Sequence, residues 1–257
     1  MDNLRISTIT SIGQISTSFK ILNAFNNINP NEFITYLEYE GGRKGYAKKN
    51  DKKKRKITNK RCLFFNMMSF ILNFEDKLIT IKLFTNEMSK FQITGGRDEE
   101  QGKRAMNKLI NYILDLDINF CDDQKIFTNR DVSITDYKIV LINSDIDIKK
   151  QINREELFEV ADEAGYFVSY SPDSYPACSI KYYYNEKFDN NGICECENTC
   201  DGKGCGCGDG NCKKITIAAF SSGKILLTGA QNSKQLQSSY NFINKFIDYN
   251  KDRVIMR

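Results

Sequence analysis

The feature that most restricts how this chain can fold is that it repeats itself. Ile79-Thr80-Ile81-Lys82-Leu83-Phe84 and Ile215-Thr216-Ile217-Ala218-Ala219-Phe220 share the pattern Ile-Thr-Ile-x-x-Phe. Each leads through a turn to a second extended run ending in Thr-Gly: Phe91-Gln92-Ile93-Thr94-Gly95 and Ile225-Leu226-Leu227-Thr228-Gly229. Each Thr-Gly opens a segment with helical spacing. Met106, Leu109, Ile110 and Ile113 form one stripe of residues 98–114, and Leu236, Tyr240, Ile243 and Ile247 one stripe of 233–248. Correspondences kept in the same order in both halves point to a duplication.

The upstream parts also pair. Residues 5–15 and 137–148 read as opening strands. Each precedes a helix: 16–28, stopped by Pro30, and 153–164, stopped by Gly165. Asn153 with Glu156 at the third helical position has the form of a capping box. Extended stretches follow at 33–39 and 65–74 in one half, and at 166–171 and 177–184 in the other. Each half is therefore strand–helix–four strands–helix, an α+β unit on an antiparallel sheet. The halves are read as 1–118 and 130–257, joined through a polar, turn-rich hinge at 115–132. Two segments break the symmetry: a lysine-rich loop at 41–61, and a Gly/Cys-rich loop at 190–212 where the first half has only Glu75-Asp76-Lys77.

Composition removes several function classes. There is no histidine among the 257 residues, so imidazole acid–base chemistry, Ser-His and Cys-His nucleophiles and imidazole metal ligands are excluded. The pairs Asp115/Asp117 and Asp145/Asp147 lack a phosphate loop or a His-based site beside them and read as turn and cap residues, so no enzyme is expected. Net charge is only +4, too weak by itself to announce a polyanion partner. No apolar run approaches the roughly 20 residues that span a bilayer, and MDNLRISTIT lacks a signal peptide's apolar block, so a soluble intracellular protein with no membrane partner is expected.

The strands raise a question of partners. One helical stripe per helix can cover one sheet face, and the other face should be polar if it meets water. Yet 215–220 reads as apolar on both faces apart from Thr216, and both alternating sets of 224–228 contain an aliphatic residue. An uncovered apolar face calls for a partner: a second sheet, an oligomer, a ligand or a nucleic acid.

These residues resemble the TATA-box-binding protein family. Ile217 to Ala230, with Phe220-Ser221-Ser222-Gly223-Lys224 and Thr228-Gly229-Ala230, is similar to the family's strand, Phe-Ser-Ser-Gly-Lys, strand, Thr-Gly-Ala signature. Tyr170-Ser171-Pro172-Asp173-Ser174-Tyr175-Pro176 resembles its Tyr-Glu-Pro-Glu-Leu-Phe-Pro stirrup, and Thr135-Asp136-Tyr137-Lys138-Ile139 resembles the Thr-Asp-Phe-Lys-Ile that opens its second repeat. The second half is matched almost end to end, the first mainly over 65–113. The insertions and Asn/Lys-rich composition look most like the divergent forms in nucleocytoplasmic large DNA viruses. The resemblance implies a saddle: a duplicated, curved antiparallel sheet with helices on its convex face. The concave face lies along the minor groove of promoter DNA, where width and deformability carry much of the readout. Two aromatic pairs wedge between base steps and bend the duplex, by about 80° in the family.

Carried over by position, the resemblance assigns Tyr175 and Phe220 as the second-half wedge. In the first half it assigns Phe84 with Phe65, Phe64 being one register away. Thr94 and Thr228 take the central base-contacting positions, and Leu226 a groove-facing aliphatic position whose first-half counterpart is Gln92. Lys90, Arg97, Lys181 and Lys224 take positions near phosphates. The family's asparagine on each opening strand falls at Leu141 and at Leu4 or Arg5, which implies relaxed or altered sequence preference. The implied partners are double-stranded DNA, a transcription factor IIB-like protein meeting the stirrup at Asp173 and Ser174, and RNA polymerase, with the protein a monomer on DNA. The implied location is the host cytoplasm (viral factory) or virion if the source is viral, and the nucleus otherwise. The same fold also serves as an accessory domain in unrelated enzymes, so a nucleic-acid or protein-binding module without TATA specificity is the alternative.

The two insertions carry their own chemistry. Cys194, Cys196, Cys200, Cys205, Cys207 and Cys212 are spaced so that thiolates can close on zinc, four ligands serving one ion or six sharing two. Free or reversibly oxidised thiols and disulfides are the alternatives. Because the loop joins strands whose other ends carry Tyr175 and Phe220, it should lie away from the wedge. Cys62, Cys121 and Cys178 read as core or surface thiols. The basic run at 48–61 suits an arm steering toward phosphate, a nuclear import signal or a solvated loop.

Overall fold

The computed structural model describes residues 4–46, 65–85 and 88–256. Phe64, Cys62 and the basic run 48–61 lie outside the described residues. The elements in chain order are β1 (Leu4–Ile15), α1 (Ile21–Asn27), β2 (Ile34–Tyr39), β3 (Gly42–Gly45), β4 (Met67–Phe74), β5 (Lys77–Phe84), β6 (Lys90–Gly96) and α2 (Gln101–Asp117). They continue as β7 (Ile134–Asp147), α3 (Arg154–Glu163), β8 (Phe167–Ser171), β9 (Tyr175–Tyr184), β10 (Lys213–Ala219), β11 (Lys224–Ala230), α4 (Ser233–Tyr249) and α5 (Lys251–Val254). The chain forms two compact units: an N-terminal unit, Ile9–Ile139, and a C-terminal unit, Met1–Thr8 with Val140–Arg257.

In the N-terminal unit the antiparallel strands run β3-β2-β4-β5-β6-β1, and in the C-terminal unit β7-β11-β10-β9-β8. Alternation along each strand sends one set of side chains under the helices. Ile79, Ile81 and Leu83 of β5 pack with Met106, Leu109 and Ile113 of α2, while Ile215, Ile217, Ile225 and Leu227 are fully buried in the other unit. Each buried aliphatic contributes roughly 1.5–3 kcal/mol relative to exposure. The helix stripes read from sequence are buried in α2 and, apart from the half-buried Tyr240, in α4, where Gln235 and Ser239 join Leu236, Ile243 and Ile247.

The duplication extends to backbone detail. Gly95 (φ +125°) and Gly229 (φ +115°) occupy matching places at the ends of β6 and β11. A Cβ on Gly95 would lie 2.8 Å from the Leu78 carbonyl oxygen, and one on Gly229 2.8 Å from that of Lys214. The residue after each Gly-x step is then tied into the next helix in the same way. Arg97 N–H donates to Gln101 Oε1 and Gln231 N–H to Gln235 Oε1, both at 2.8 Å, and both glutamines are buried.

Several elements differ from the sequence expectation. The helix expected at 16–28 begins only at Ile21. Residues 17–19 are drawn into the loop that follows α2, where Thr17 and Thr128 hydroxyls meet at 3.0 Å and Phe19 bridges Phe127, while Phe19 N–H donates to Ser89 Oγ just before β6. That loop is less polar than its composition suggests, since Ile126 and Phe127 are core residues. The buried Asp117 carboxylate accepts their N–H groups at 2.8 and 2.9 Å, so it ties the end of α2 to this loop and caps no helix, unlike the turn or cap role expected from the sequence. The lysine-rich insertion starts as a hairpin: Glu40 (φ +47°) and Gly41 (φ +82°) form a two-residue turn of the kind that suits strand twist, and β3 pairs back on β2. The capping box of α3 is half formed. Asn153 Oδ1 accepts from Glu155 N and Glu156 N, but Glu156 is turned outward to Arg253, and Asn153 N–H donates to the Val254 carbonyl instead. No helix among the described residues is long and apolar enough to cross a membrane.

Candidate nucleic-acid interface and metal centre

Each unit leaves one sheet face without helices, and strand register fixes its side chains. In the C-terminal unit one row runs Lys181–Thr216–Thr228–Asn143 and the next Ser179–Ala218–Leu226–Asp145. In the N-terminal unit the matching rows are Ile71–Thr80–Thr94–Thr10 and Ser69–Lys82–Gln92–Ile12. The open faces are thus mixed and not uniformly apolar, correcting the expectation from 215–220. Ala218, which a binary pattern counts as hydrophobic, places only a methyl there, and both large aliphatics of β10 face inward. Threonine-centred rows with flanking small and aliphatic groups can meet base edges through both hydroxyls and methyls.

Tyr175 and Phe220 come together at the end of the β9–β10 pair, rings edge to face with centroids 6.0 Å apart, Tyr175 44% exposed. The turn that carries Tyr175 is braced from α3. Arg154 lies over the Tyr170 ring at 5.3 Å and donates to the Pro176 carbonyl, while Ser174 N–H closes the turn on the Ser171 carbonyl. Asp173 and Ser174 are exposed at its tip. In the N-terminal unit Phe84 is half-buried at the end of β5, opposite Met67. Phe65 is 73% exposed just before β4 and has no aromatic partner among the described residues. An open hollow of about 680 Å³ borders Phe84, with Gln14, Asn66, Lys90 and Lys138 in its wall.

Of the basic candidates, Lys90 and Lys224 are exposed at strand starts, opposite Gln14 and Asp147, and Arg97 is exposed in the loop between β6 and α2. Lys181 is half-buried, its ammonium donating to Thr216 Oγ1 at 3.1 Å. Burial, and next the neighbouring Lys214, push its pKa below the ordinary lysine value.

One residue on these faces escaped sequence reasoning, and one departs from it: Asp145, expected as a turn or cap residue, lies inside β7. Asn143, two residues beyond Leu141, sits directly opposite Thr228, as Thr10 sits opposite Thr94. Its buried Oδ1 has no hydrogen-bond partner among the described residues. Counting outward from Thr228 across the ladder would have found it; alignment from Tyr137 did not. Asp145 lies opposite Leu226 and is gripped by Arg5, whose Nε and Nη2 approach its carboxylate at 3.1–3.2 Å. Arg5, one of the two positions where the first-half asparagine was placed, is thereby committed to an ion pair.

The Cys-rich loop sorts its thiols into two groups. Cys194, Cys196, Cys200 and Cys212 bring their sulfurs within 4.8 Å of one another, whereas Cys205 and Cys207 are exposed and outside that cluster. Sulfur separations of 3.3 Å (Cys196–Cys212) and 3.7 Å (Cys194–Cys212) are close to the roughly 3.8 Å edge of a tetrahedron with 2.3 Å metal–sulfur bonds. Burial pushes the Cys194 and Cys212 thiols up. At Cys200 burial also acts upward, but the Gly202 and Cys212 amides outweigh it and bring that thiol below its ordinary value. Among the other thiols, Cys121 is exposed and Cys178 is buried, its pKa pushed up to about 12 by desolvation. Glycines allow the turns: Gly202, Gly206, Gly208 and Gly210 all have positive φ. The loop is anchored to the helix side through the buried Tyr182 hydroxyl, shared with Asn190 O and Ser238 Oγ, and through Gln235 Nε2 donating to Cys205 O. It joins the Tyr184–Lys213 end of the β9–β10 ladder, with Cys178–Ala219 at the wedge end, so it lies away from the wedge as expected.

No family model matches the sequence. The chain is 28% identical to a TATA-box-binding protein-like protein of Acanthamoeba polyphaga mimivirus, over an alignment of 279 residues that covers 98% of this chain and 68% of that protein. Among solved structures it is similar to Methanococcus jannaschii TBP, with a TM-score of 0.53 and 16% identity, covering 97% of this chain and 99% of that one. The resemblance read from the motifs holds along nearly the whole chain, including its likeness to a large-virus form, and the α+β fold is the one that resemblance implied.

Proposed function

We propose that this protein is a transcription initiation factor that binds and bends promoter DNA through the minor groove and recruits a transcription factor IIB-like protein and RNA polymerase. The observation that carries the reading is the Tyr175–Phe220 ring pair standing at the rim of an open, threonine-centred sheet face. Rings so placed can enter a base step, and the unstacking, a few kcal/mol per step, is offset by the wider contact a bent duplex offers. Thr228 and Asn143, with Thr94 and Thr10, supply hydroxyl and amide groups for base edges, while Lys181, Lys224 and Lys90 are placed to approach phosphates. The braced turn with Asp173 and Ser174 at its tip is a rigid acidic knob suited to a basic protein partner. The protein acts by binding and not by catalysis, as a monomer on DNA. Its place is the host cytoplasm (viral factory) or the virion for a viral source, and the nucleus otherwise. The names of the similar proteins support the DNA assignment.

The second part of the reading is one zinc ion held by Cys194, Cys196, Cys200 and Cys212. The thiolate set fits zinc, which supplies a structural cross-link and no chemistry on a substrate. The Cys residues position the ion, and the positive-φ glycines let the chain wrap it.

Circularly permuted AT-rich duplexes, run in gel-shift format, test the function. A sharp, position-dependent bend is the expected result. A protein that prefers heparin to duplex at moderate salt, or binds without bending, would fit the alternative module without promoter recognition.

A further inference from the structure

We infer that the four-cysteine loop tunes nucleic-acid affinity by holding Lys214 beside Lys181 as a two-lysine clamp for the phosphate backbone. This rests on the DNA and metal readings above and assigns the metal a consequence for binding.

The register puts Thr216 opposite Lys181 and Lys214 opposite Tyr183, so Lys181 and Lys214 are diagonal neighbours on the open face, about 7–8 Å apart. Neither has a carboxylate partner among the described residues. Lys181 Nζ donates to Thr216 Oγ1 at 3.1 Å and Lys214 Nζ to the Asp201 backbone carbonyl at 3.4 Å. The nearby Asp201 carboxylate is occupied by Lys203 at 3.2 Å. Two ammonium groups thus share a face and repel each other, with Asp201, already paired to Lys203, offsetting the Lys214 charge only in part, and a polyanion laid across them relieves the repulsion.

The sheet places the Lys214 backbone, but the loop aims its side chain. Lys214 N–H donates to Gly202 O at 2.8 Å, and Gly204 N–H to Cys212 O at 3.0 Å. A Cβ on Gly202, where φ is +73°, would stand 2.6 Å from Lys214 Cβ and 2.9 Å from the Tyr183 ring. The turn that lies on Lys214 therefore sits between Cys200 and Cys212, two members of the thiol cluster. An ion joining those sulfurs closes the turn; without it the turn is held by a few hydrogen bonds at the protein surface.

The test is the affinity of the full chain for an AT-rich duplex as a function of salt, by fluorescence anisotropy. It compares metal-loaded protein, chelator-stripped protein, Lys214→Gln and metal-loaded Gly202→Ala, with metal content and circular dichroism checked for each. Lys214→Gln should lower the log–log salt slope by about 1. Stripping should lower the wild-type slope similarly and leave that of Lys214→Gln unchanged. Gly202→Ala should lower it while keeping its metal, a result that stands even if stripping unfolds the chain. Duplex binding with a slope indifferent to Lys214→Gln or to Gly202→Ala overturns the clamp and leaves the DNA reading intact. Failure of loaded wild-type protein to bind duplex overturns the DNA reading and the clamp together.

Discussion

Gly95 and Gly229 show how a duplicated sequence carries a duplicated constraint. Each has a φ that side chains avoid, and each faces a backbone oxygen 2.8 Å from where a Cβ would stand. Gly229→Ala should therefore destabilise the protein by about 1–3 kcal/mol in denaturant unfolding. Gly95→Ala should cost a similar amount, and an unchanged midpoint would show that the strand ends relax freely. Asn143 makes a functional prediction at the same scale. On the DNA reading, Asn143→Leu lowers discrimination between duplexes that differ at one central base pair by about 1 kcal/mol or more, measured by competition, with little change in overall salt dependence. Arg5→Ala frees the Asp145 carboxylate beside Leu226 and should weaken binding to every duplex alike.

At the scale of elements, the Cys-rich loop and the start of α2 make separable predictions. Serine replacement of Cys194, Cys196, Cys200 or Cys212 should abolish stoichiometric metal in protein purified without chelator, whereas Cys205→Ser and Cys207→Ser should retain about one equivalent. Retention of metal by Cys212→Ser would reassign the ligands. The first turn of α2 is tied by Asp98, whose carboxylate accepts from Glu100 N and Gln101 N and faces Arg104, which also binds Glu75. Burial raises the Asp98 pKa, but those N–H groups and Arg104 outweigh it and hold it below the usual value; Glu75 is lowered chiefly by Arg104. Depressed carboxylate pKa values contribute stability above the unfolded-state values and lose it as pH falls through the folded ones. Stability should therefore fall as pH drops below about 4, and Asp98→Asn should flatten that fall.

For the whole molecule, the prediction concerns bending. If the Tyr175–Phe220 pair enters a base step, replacing both rings by alanine should reduce the bend angle far more than it reduces electrostatic attraction to DNA. Circular-permutation mobility and the salt slope read these two effects separately. An unaltered bend would remove the wedge role from these residues. Because Tyr175 and Phe220 lie at the end of the β9–β10 ladder opposite the Cys-rich loop, the double variant should keep its metal.

The repeat, the fold class, the helix stripes and the Thr-Gly corners were all legible in the sequence, because hydrophobic period and glycine geometry are local properties that the chain states directly. The ring pair of the second half was legible too, since the motifs flanking Tyr175 and Phe220 are nearly complete. The convergence of four cysteines while two stand apart was set by the turns of a long loop, and other features depended on which strands lie side by side: Asn143 opposite Thr228, Asp145 in the grip of Arg5, and Lys214 beside Lys181. Cross-strand pairing joins residues tens of positions apart, and bulges at Thr10 and Thr228 shift the count. Spacing along the chain therefore does not specify those neighbours; the hydrogen-bonded ladder does.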